Sequence, residues 1–543
     1  MTTNSDGEAT IPPDVAQSLS DCLAELDAQR FTERIQVHDA TLWRGNEDES
    51  RRRLGWLHVN DTMGPQTGSM VSFADRARGD GFVDVVLLGM GGSSLGAEVL
   101  SQVIGGTPGF PRLHVLDSTV PGAVAFVSHR INLEHTLFIV SSKSGGTLEP
   151  NLLYEYFSHN ASATAGHEAG SQFIAITDAG SSLERTAREH GFRHTFLNPT
   201  DIGGRYSVLS LFGLVPAALL GIDISRLLSR AAHMSGLCGR GTRAKDNPGA
   251  YLGSYIGGCA RLGRNKLTFL TSPRLQSFGL WAEQLIAEST GKEGKGVVPV
   301  MGEPELPLSA YSHDRAFVYL RLRGDDNTAT DRLSERLAGA GFPCLTLDAA
   351  DEYALGSEFY RWEYATAVLG TLLGINPFDQ PDVQRAKDAS TKMLQHYEAH
   401  GSLPHADGTI TLPALLDSLR QGDYLGVTAY IRQRPETDSV FSRFRQRIGS
   451  QSRVCTTVGY GPRFLHSTGQ LHKGGPNECV LLQIVSEHPD DVPVPGKDFS
   501  FGTVADAQAL GDLQALLSLN RRVGRIVLES DDPALLATML ESG

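Results

Sequence analysis

Two short runs of glycines and hydroxyl side chains carry the clearest chemical signal in the sequence. In GMGGSSLGAEVL, Gly89, Gly91, Gly92, Ser93 and Ser94 follow the apolar run VDVVLL; in SSKSGGTLEP, Ser142, Lys143, Ser144, Gly145, Gly146 and Thr147 follow TLFIVS. Glycines let backbone approach an anion closely, the first N–H groups of the next helix point at it, and hydroxyls add donors. The chemistry these turns suit is phosphate binding. Two other readings stay open for either turn alone: tight-turn packing, or the start of a dinucleotide site, since Asp117 ends the next strand pattern as such a site requires. Against the dinucleotide, Ser94 stands where G-x-G-x-x-G needs its third glycine, and the SSKSGGT turn has no place in that fingerprint.

The elements that must position these turns are short apolar runs alternating with amphipathic stretches. From about residue 82, VDVVLLG, LHVLDS, TLFIVSS and FIAITD each lead into a turn and a helical pattern, which predicts βαβ units and a parallel sheet covered on both faces. Turns at the C-terminal ends of such strands converge on one crevice. A second set (KLTFLTS, AFVYLRL, PCLTLD) and a third (YLGVTAYI, VCTTVGYG, CVLLQIVSE, VGRIVLES) repeat the alternation, with AHGSLPHADGTITLP at 399–413 as a linker. Ahead of them, Val15, Leu19, Leu23, Leu26 and Phe31 recur at helical spacing, and the polar stretch before about residue 13 is expected to be disordered. The expected domains are a helical arm at 1–75, α/β domains at 76–225 and 226–398, and a C-terminal α/β domain at 414–543.

At 543 residues the chain is too long for one ordinary core. A formal net charge of -14 argues against a nucleic-acid surface, while a small anionic substrate needs only a few local donors. The six cysteines form no CxxC pair, so reduced, mostly buried thiols are expected rather than a disulfide framework or zinc site. With no secretory leader pattern and no run of ~20 apolar residues, the expected location is the cytoplasm.

Beyond the two turns, TDAGSSLE, DIGGRYSVLSLFGL, QLIAESTGK and NPFDQPDVQRAK resemble the signature segments of the glucose-6-phosphate isomerase family, over roughly residues 40–395. GMGGSSLG and SSKSGGTLEP are similar to the phosphate turns of sugar-isomerase (SIS) domains. The resemblance implies two SIS-type doubly wound parallel-sheet domains, with the N-terminal arm and the additional C-terminal α/β domain flanking them. RIQVHDATLW, RRRLGWLHV and HSTGQLHKGG resemble more narrowly the isomerase half of bifunctional transaldolase/glucose-6-phosphate isomerases; with no transaldolase-length segment ahead of them, no transaldolase activity is expected.

The activity implied is interconversion of glucose 6-phosphate and fructose 6-phosphate through an enediolate, without metal or redox cofactor, by a possible homodimer. By resemblance, Glu288 is the base, Arg205 faces the enediolate oxygen, and Lys387 takes part in ring opening. Gln284, one helical turn before Glu288, shares its face. Gln380 matches a phosphate-contacting glutamine, Ser142, Lys143, Ser144 and Thr147 the phosphate cradle, and Gly92 and Ser93 the turn contacting the sugar. The family's ring-opening histidine has no clear counterpart, because LSAYSHDRAFVYLRL runs straight into a strand. His472 is taken for that role, with His313 and His466 as the alternatives. Other readings are a sugar-phosphate sensor, which would need the Ser142–Thr147 turn but not Glu288 or Lys387, an isomerase of another hexose 6-phosphate, and, third, a dehydrogenase.

Overall fold

The computed structural model describes residues 9–541, with side chains from residue 11 onward except 164–168 and 383–386. The chain forms two compact units, each assembled from non-contiguous segments. One comprises the chain up to Arg76, Leu95–Phe110 and Pro199–Asp379; the other comprises Ala77–Ser94, Pro111–Asn198 and the chain from Gln380 onward. The stretch 76–225, expected as one domain, is therefore divided between them. Strand and helix patterns are local in sequence, whereas the unit a helix joins depends on where its apolar face is buried. The Leu95–Val103 helix packs on the Leu211–Leu219 helix, and Gly96 lies so close to Val208 that a Cβ would fall 2.6 Å from its Cγ2.

In the first unit, Cys344–Ala349, Arg315–Leu322, Lys266–Thr271 and Val298–Val300 form a parallel sheet in that order. Ala9–Thr10 adds a short antiparallel edge to Cys344–Ala349, so part of the N-terminal stretch expected to be disordered is paired; residues 1–8 lie outside the described residues. The Pro13–Ala28 helix buries Val15, Leu19 and Leu26 of the stripe its spacing predicts against the Pro248–Arg261 helix, while Cys22 is buried and Leu23, expected in that stripe, is only half-buried.

The second unit holds two sheets. One runs Arg112–Leu116, Asp84–Leu88, Thr136–Ser141, Phe173–Asp178, His194–Asn198, and the other Cys455–Tyr460, Tyr424–Tyr430, Cys479–Ser486, Arg522–Leu528; all neighbours are parallel. Every residue of Asp84–Leu88, Tyr424–Tyr430 and Cys479–Ser486 is buried, as continuous apolar runs in two-sided parallel sheets require. Numbered by its parallel strands alone, each of the three sheets places its second strand to one side of the first and its third to the other, the doubly wound reversal. The crevice at such a reversal opens between the turns that follow the first and third strands, and in the N-terminal sheet those turns are the two glycine- and hydroxyl-rich runs.

The C-terminal sheet is covered by helices that include Pro435–Ser452 and Phe501–Ser518, and the latter lies against the Pro381–His400 helix. Gly511 makes that approach possible, since a Cβ there would sit 2.7 Å from the backbone N of Ser390. All six cysteines are buried free thiols. Among the described residues no helix is long and apolar enough to cross a membrane.

Candidate functional site

The first unit contains a buried acid–base cluster at the end of the Phe278–Thr290 helix. That helix is buried along most of its length, and its last turns place Gln284 and Glu288 on one face, 3% and 6% exposed. A carboxylate so buried must be paired. Arg205 Nη1 lies 3.0 Å from Glu288 Oε1, and Gln284 Nε2 donates to Oε2 at 3.0 Å. Arg205 itself, in the Gly204–Tyr206 turn, donates from Nε to Ser289 Oγ (2.7 Å) and from Nη2 to the carbonyls of Pro377 (2.6 Å) and Asp379 (3.0 Å). The guanidinium is thus fixed before any substrate arrives.

Lys292, quoted in the same motif but given no role from sequence, donates to the carbonyls of Asn376 (2.7 Å) and Asp379 (2.6 Å) and to Asp379 Oδ1 (2.6 Å). Burial and the nearby Arg205 push its ammonium pKa down to about 8 despite Asp379. It ties together the Asn376–Asp379 carbonyls that hold Arg205. His313 is exposed on the loop before the Arg315–Leu322 strand, where its carbonyl accepts from Arg264.

The second unit contains a cavity of about 290 Å³ beside the Ser142–Thr147 turn. Gly145, at φ +72°, turns the chain where a Cβ would strike Leu183 N at 2.4 Å. Ser142 Oγ accepts from Gly145 N and donates to Thr147 Oγ1, both at 3.1 Å, so its hydroxyl shapes the turn from within. Lys143 pairs with Asp178 at 2.5 Å. Ser144, Gly146 and Thr147 line the cavity, as do Lys387 and Asp388 of the Pro381–His400 helix, His466 of the Arg463–His466 turn, and Gln508 of the Phe501–Ser518 helix.

Glu149, at the start of the Leu148–Ala165 helix, also lines this cavity and is the acidic centre that sequence reasoning missed. His466 Nε2 is 3.0 Å and Gln508 Nε2 2.7 Å from the same oxygen, Oε1. Burial alone would raise the Glu149 pKa, but the charge and hydrogen bond of His466, with Lys387 adding to them, hold the carboxyl below its ordinary range. A carboxylate, an imidazole and an ammonium around a pocket edged by hydroxyls can bind an anion and move protons at neighbouring oxygens.

His472 is not part of this arrangement. It lies in the Gly469–Gly474 helix, 3% exposed, among Tyr424, Phe464 and the backbone of Gly426, and does not line the cavity. Burial first, then the charges of Lys473 and Arg521, push its pKa down to about 3, so it is neutral near pH 7. Of the three candidate histidines, His466 lines this cavity, and His472 and His313 do not. Gln380 is exposed at the N-cap of the Pro381–His400 helix, and Gly92 and Ser93 are half-buried in the Gly91–Ser93 turn; none of the three lines the cavity. Ser141 Oγ ties that turn to the phosphate-type turn through Ser93 O (2.9 Å).

Asp117, the residue a dinucleotide site would present to a ribose, is 4% exposed. It is paired with Arg463 Nε and Nη2 at 2.8 and 2.9 Å and accepts from Ser94 Oγ at 3.1 Å. Its oxygens are committed to joining the first turn to the segment that bears His466. Among the described residues no group of three or more His, Cys, Asp or Glu side chains is placed to hold a metal ion.

The family model described as phosphoglucose isomerase matches residues 67–297. A glucose-6-phosphate isomerase of Leptospira biflexa is 32% identical over 365 residues, covering 57% of this chain and 79% of that protein. A probable glucose-6-phosphate isomerase of Methanococcus maripaludis is 30% identical over 354 residues, covering 58% and 79%. Among solved structures, a glucose-6-phosphate isomerase from Chlamydia trachomatis shares the fold at a TM-score of 0.59, with 22% identity, 70% of this chain covered and 86% of that one. A hypothetical protein, TT0462, from Thermus thermophilus also reaches 0.59, with 23% identity, 71% of this chain covered and 100% of that one.

Proposed function

Because the chain belongs to the glucose-6-phosphate isomerase family, we propose that it interconverts glucose 6-phosphate and fructose 6-phosphate, with Glu288 as the base. The observation that carries this reading is the buried Arg205–Glu288–Gln284 cluster, a carboxyl group held between a guanidinium and an amide. Glu288 takes the C2 proton of the open-chain aldose as the C1 carbonyl becomes an enediolate, and returns it to C1 as the carbonyl re-forms at C2. The hydroxyl proton passes from O2 to O1. Oxidation at C2 balances reduction at C1, so the reaction needs no external electron acceptor. Arg205, already charged and immobile, offsets negative charge as it develops on the enediolate oxygen.

The cavity cluster supports the remaining steps. Ser144 and Thr147 hydroxyls, with the glycine backbone between them, hold the phosphate. His466 and Lys387 act as the acid/base pair at O1 and O5 that opens the ring, and Glu149 stabilises the imidazolium as it forms. Since His466 lies beyond the residues resembling SIS domains, the C-terminal domain supplies a reacting group in this reading. It also keeps the chain akin to the isomerase half of bifunctional relatives. A coupled assay with fructose 6-phosphate tests the proposal: turnover by the wild type and its loss in Glu288→Gln are expected. Undiminished turnover in Glu288→Gln would remove Glu288 as the base, and no turnover by the wild type would remove the substrate.

A further inference from the structure

Gln508 is 2% exposed and has both ends of its amide engaged. Its Nε2 donates to Glu149 Oε1 at 2.7 Å, and its Oε1 accepts from the hydroxyl of Thr119, itself fully buried, at 2.7 Å. The reverse amide orientation would set a carbonyl oxygen against the Glu149 carboxylate, so the carboxylate fixes the amide and Thr119 anchors its far end. His466 approaches the same carboxylate oxygen. One helical turn after Gln508, Asp512 forms a buried ion pair with Lys473 at 2.5 Å, in the short helix that follows the His466 turn. Arg521 Nη2 closes that segment by donating to the carbonyls of Lys473 and Gly475, both at 2.7 Å. A single helix, Phe501–Ser518, therefore holds the carboxylate through Gln508 and the segment bearing its imidazole partner through Asp512.

We propose that Gln508 is a positioning residue of the ring-opening step: anchored by Thr119, it aims the Glu149 carboxylate at His466 and keeps it ionised. This rests on the reading of His466 as the ring-opening group. A hydrogen bond from a neutral amide to a buried carboxylate favours its charged form, and removing it leaves that carboxylate harder to ionise. The charged and titratable groups facing Glu149 are His466 from its turn, Lys387 and Asp388 from the Pro381–His400 helix, and Tyr430 at the end of its strand. Gln508 adds a neutral donor to this set.

The test is Gln508→Met, close in shape and without a donor. Turnover of cyclic glucose 6-phosphate is expected to fall ~10-fold, a part of what a general acid or base contributes. The acidic limb of its pH–rate profile is expected to move up by about one unit, as loss of a charge-assisted hydrogen bond implies. C2-proton exchange in a substrate unable to cyclise should be spared. Thr119→Val, which leaves Gln508 in place but unanchored, should move the limb the same way by less, and it serves if Gln508→Met does not fold. An unmoved pH profile with equal loss in both reactions would overturn the proposal and leave Gln508 as packing. If the wild type turns over no hexose 6-phosphate, the functional reading fails separately. The ¹³C titration of the Glu149 carboxyl then decides: an upward shift in Gln508→Met upholds the positioning, and an unchanged midpoint refutes it.

Discussion

Arg205 and Glu288 are joined at 3.0 Å in an ion pair whose partners are each more than nine-tenths buried. Such a pair stabilises little relative to apolar packing, because desolvation offsets most of the attraction, but breaking it strands a charge. Arg205→Met is accordingly expected to lower stability by ~3 kcal/mol, and Arg205→Met/Glu288→Met by much less. Urea unfolding of the three proteins measures this. A double variant as unstable as the single one would show that the pair is not the cause.

Glu288→Gln should keep the fold, because an amide can still accept from Arg205 while Gln284 turns its oxygen toward the new NH2. Its kcat is expected to fall by ~10²–10⁴, the usual reach of a general base. Steady-state kinetics with circular dichroism separate this from misfolding.

Ser144 and Thr147 act, in the proposed function, on a phosphate whose charge is the same in ground and transition states. Replacing both by alanine should therefore raise KM several-fold more than it lowers kcat. A double variant with unaltered KM would take the turn out of substrate binding. Ser142→Ala should instead reduce thermal stability, since that hydroxyl is spent inside the turn.

His466 and His472, in successive elements, should separate cleanly. His466→Ala is expected to slow turnover of the cyclic sugar by ~10²-fold while sparing C2-proton exchange in an open-chain substrate. His472→Gln should leave the ratio of those two activities near that of the wild type. The reverse result would return the ring-opening role to His472.

His472 has its own signature in acid. Its folded pKa of about 3 lies below the ordinary 6.5, so the unfolded chain binds the extra proton between those values. The stability it confers is complete above about pH 6.5 and is lost as pH falls toward 3, by an amount on the order of 5 kcal/mol. Acid unfolding of His472→Gln should begin at lower pH than in the wild type.

The sequence makes legible what is local. Strand runs, the two hydroxyl-rich turns and the Gln284–Glu288 face all follow from periodicity or turn chemistry, and the family match adds Arg205. It does not reveal that Glu149, His466 and Gln508 meet, because they lie 317 and 359 positions apart from Glu149 and nothing local marks the encounter. Glu149 lies within SSKSGGTLEP, where an acidic residue at a helix start reads as dipole complementarity. HSTGQLHKGG reads as an open glycine loop, yet Lys473 is drawn inside by Asp512, and His472 is buried with it. Composition of a loop does not disclose a partner that lies far along the chain, as Asp512 does from Lys473.

Gly511 meets no candidate substrate group, yet it sets the spacing of the helix that carries Lys387. With its Cα nearly against the Ser390 backbone, any side chain would force the two helices apart rather than find a pocket. Lys387 would move with its helix while the sheets beneath stayed whole. The reach of the lysine is in this sense metered by the absence of one methyl group, so its placement is inherited through a position that performs no chemistry.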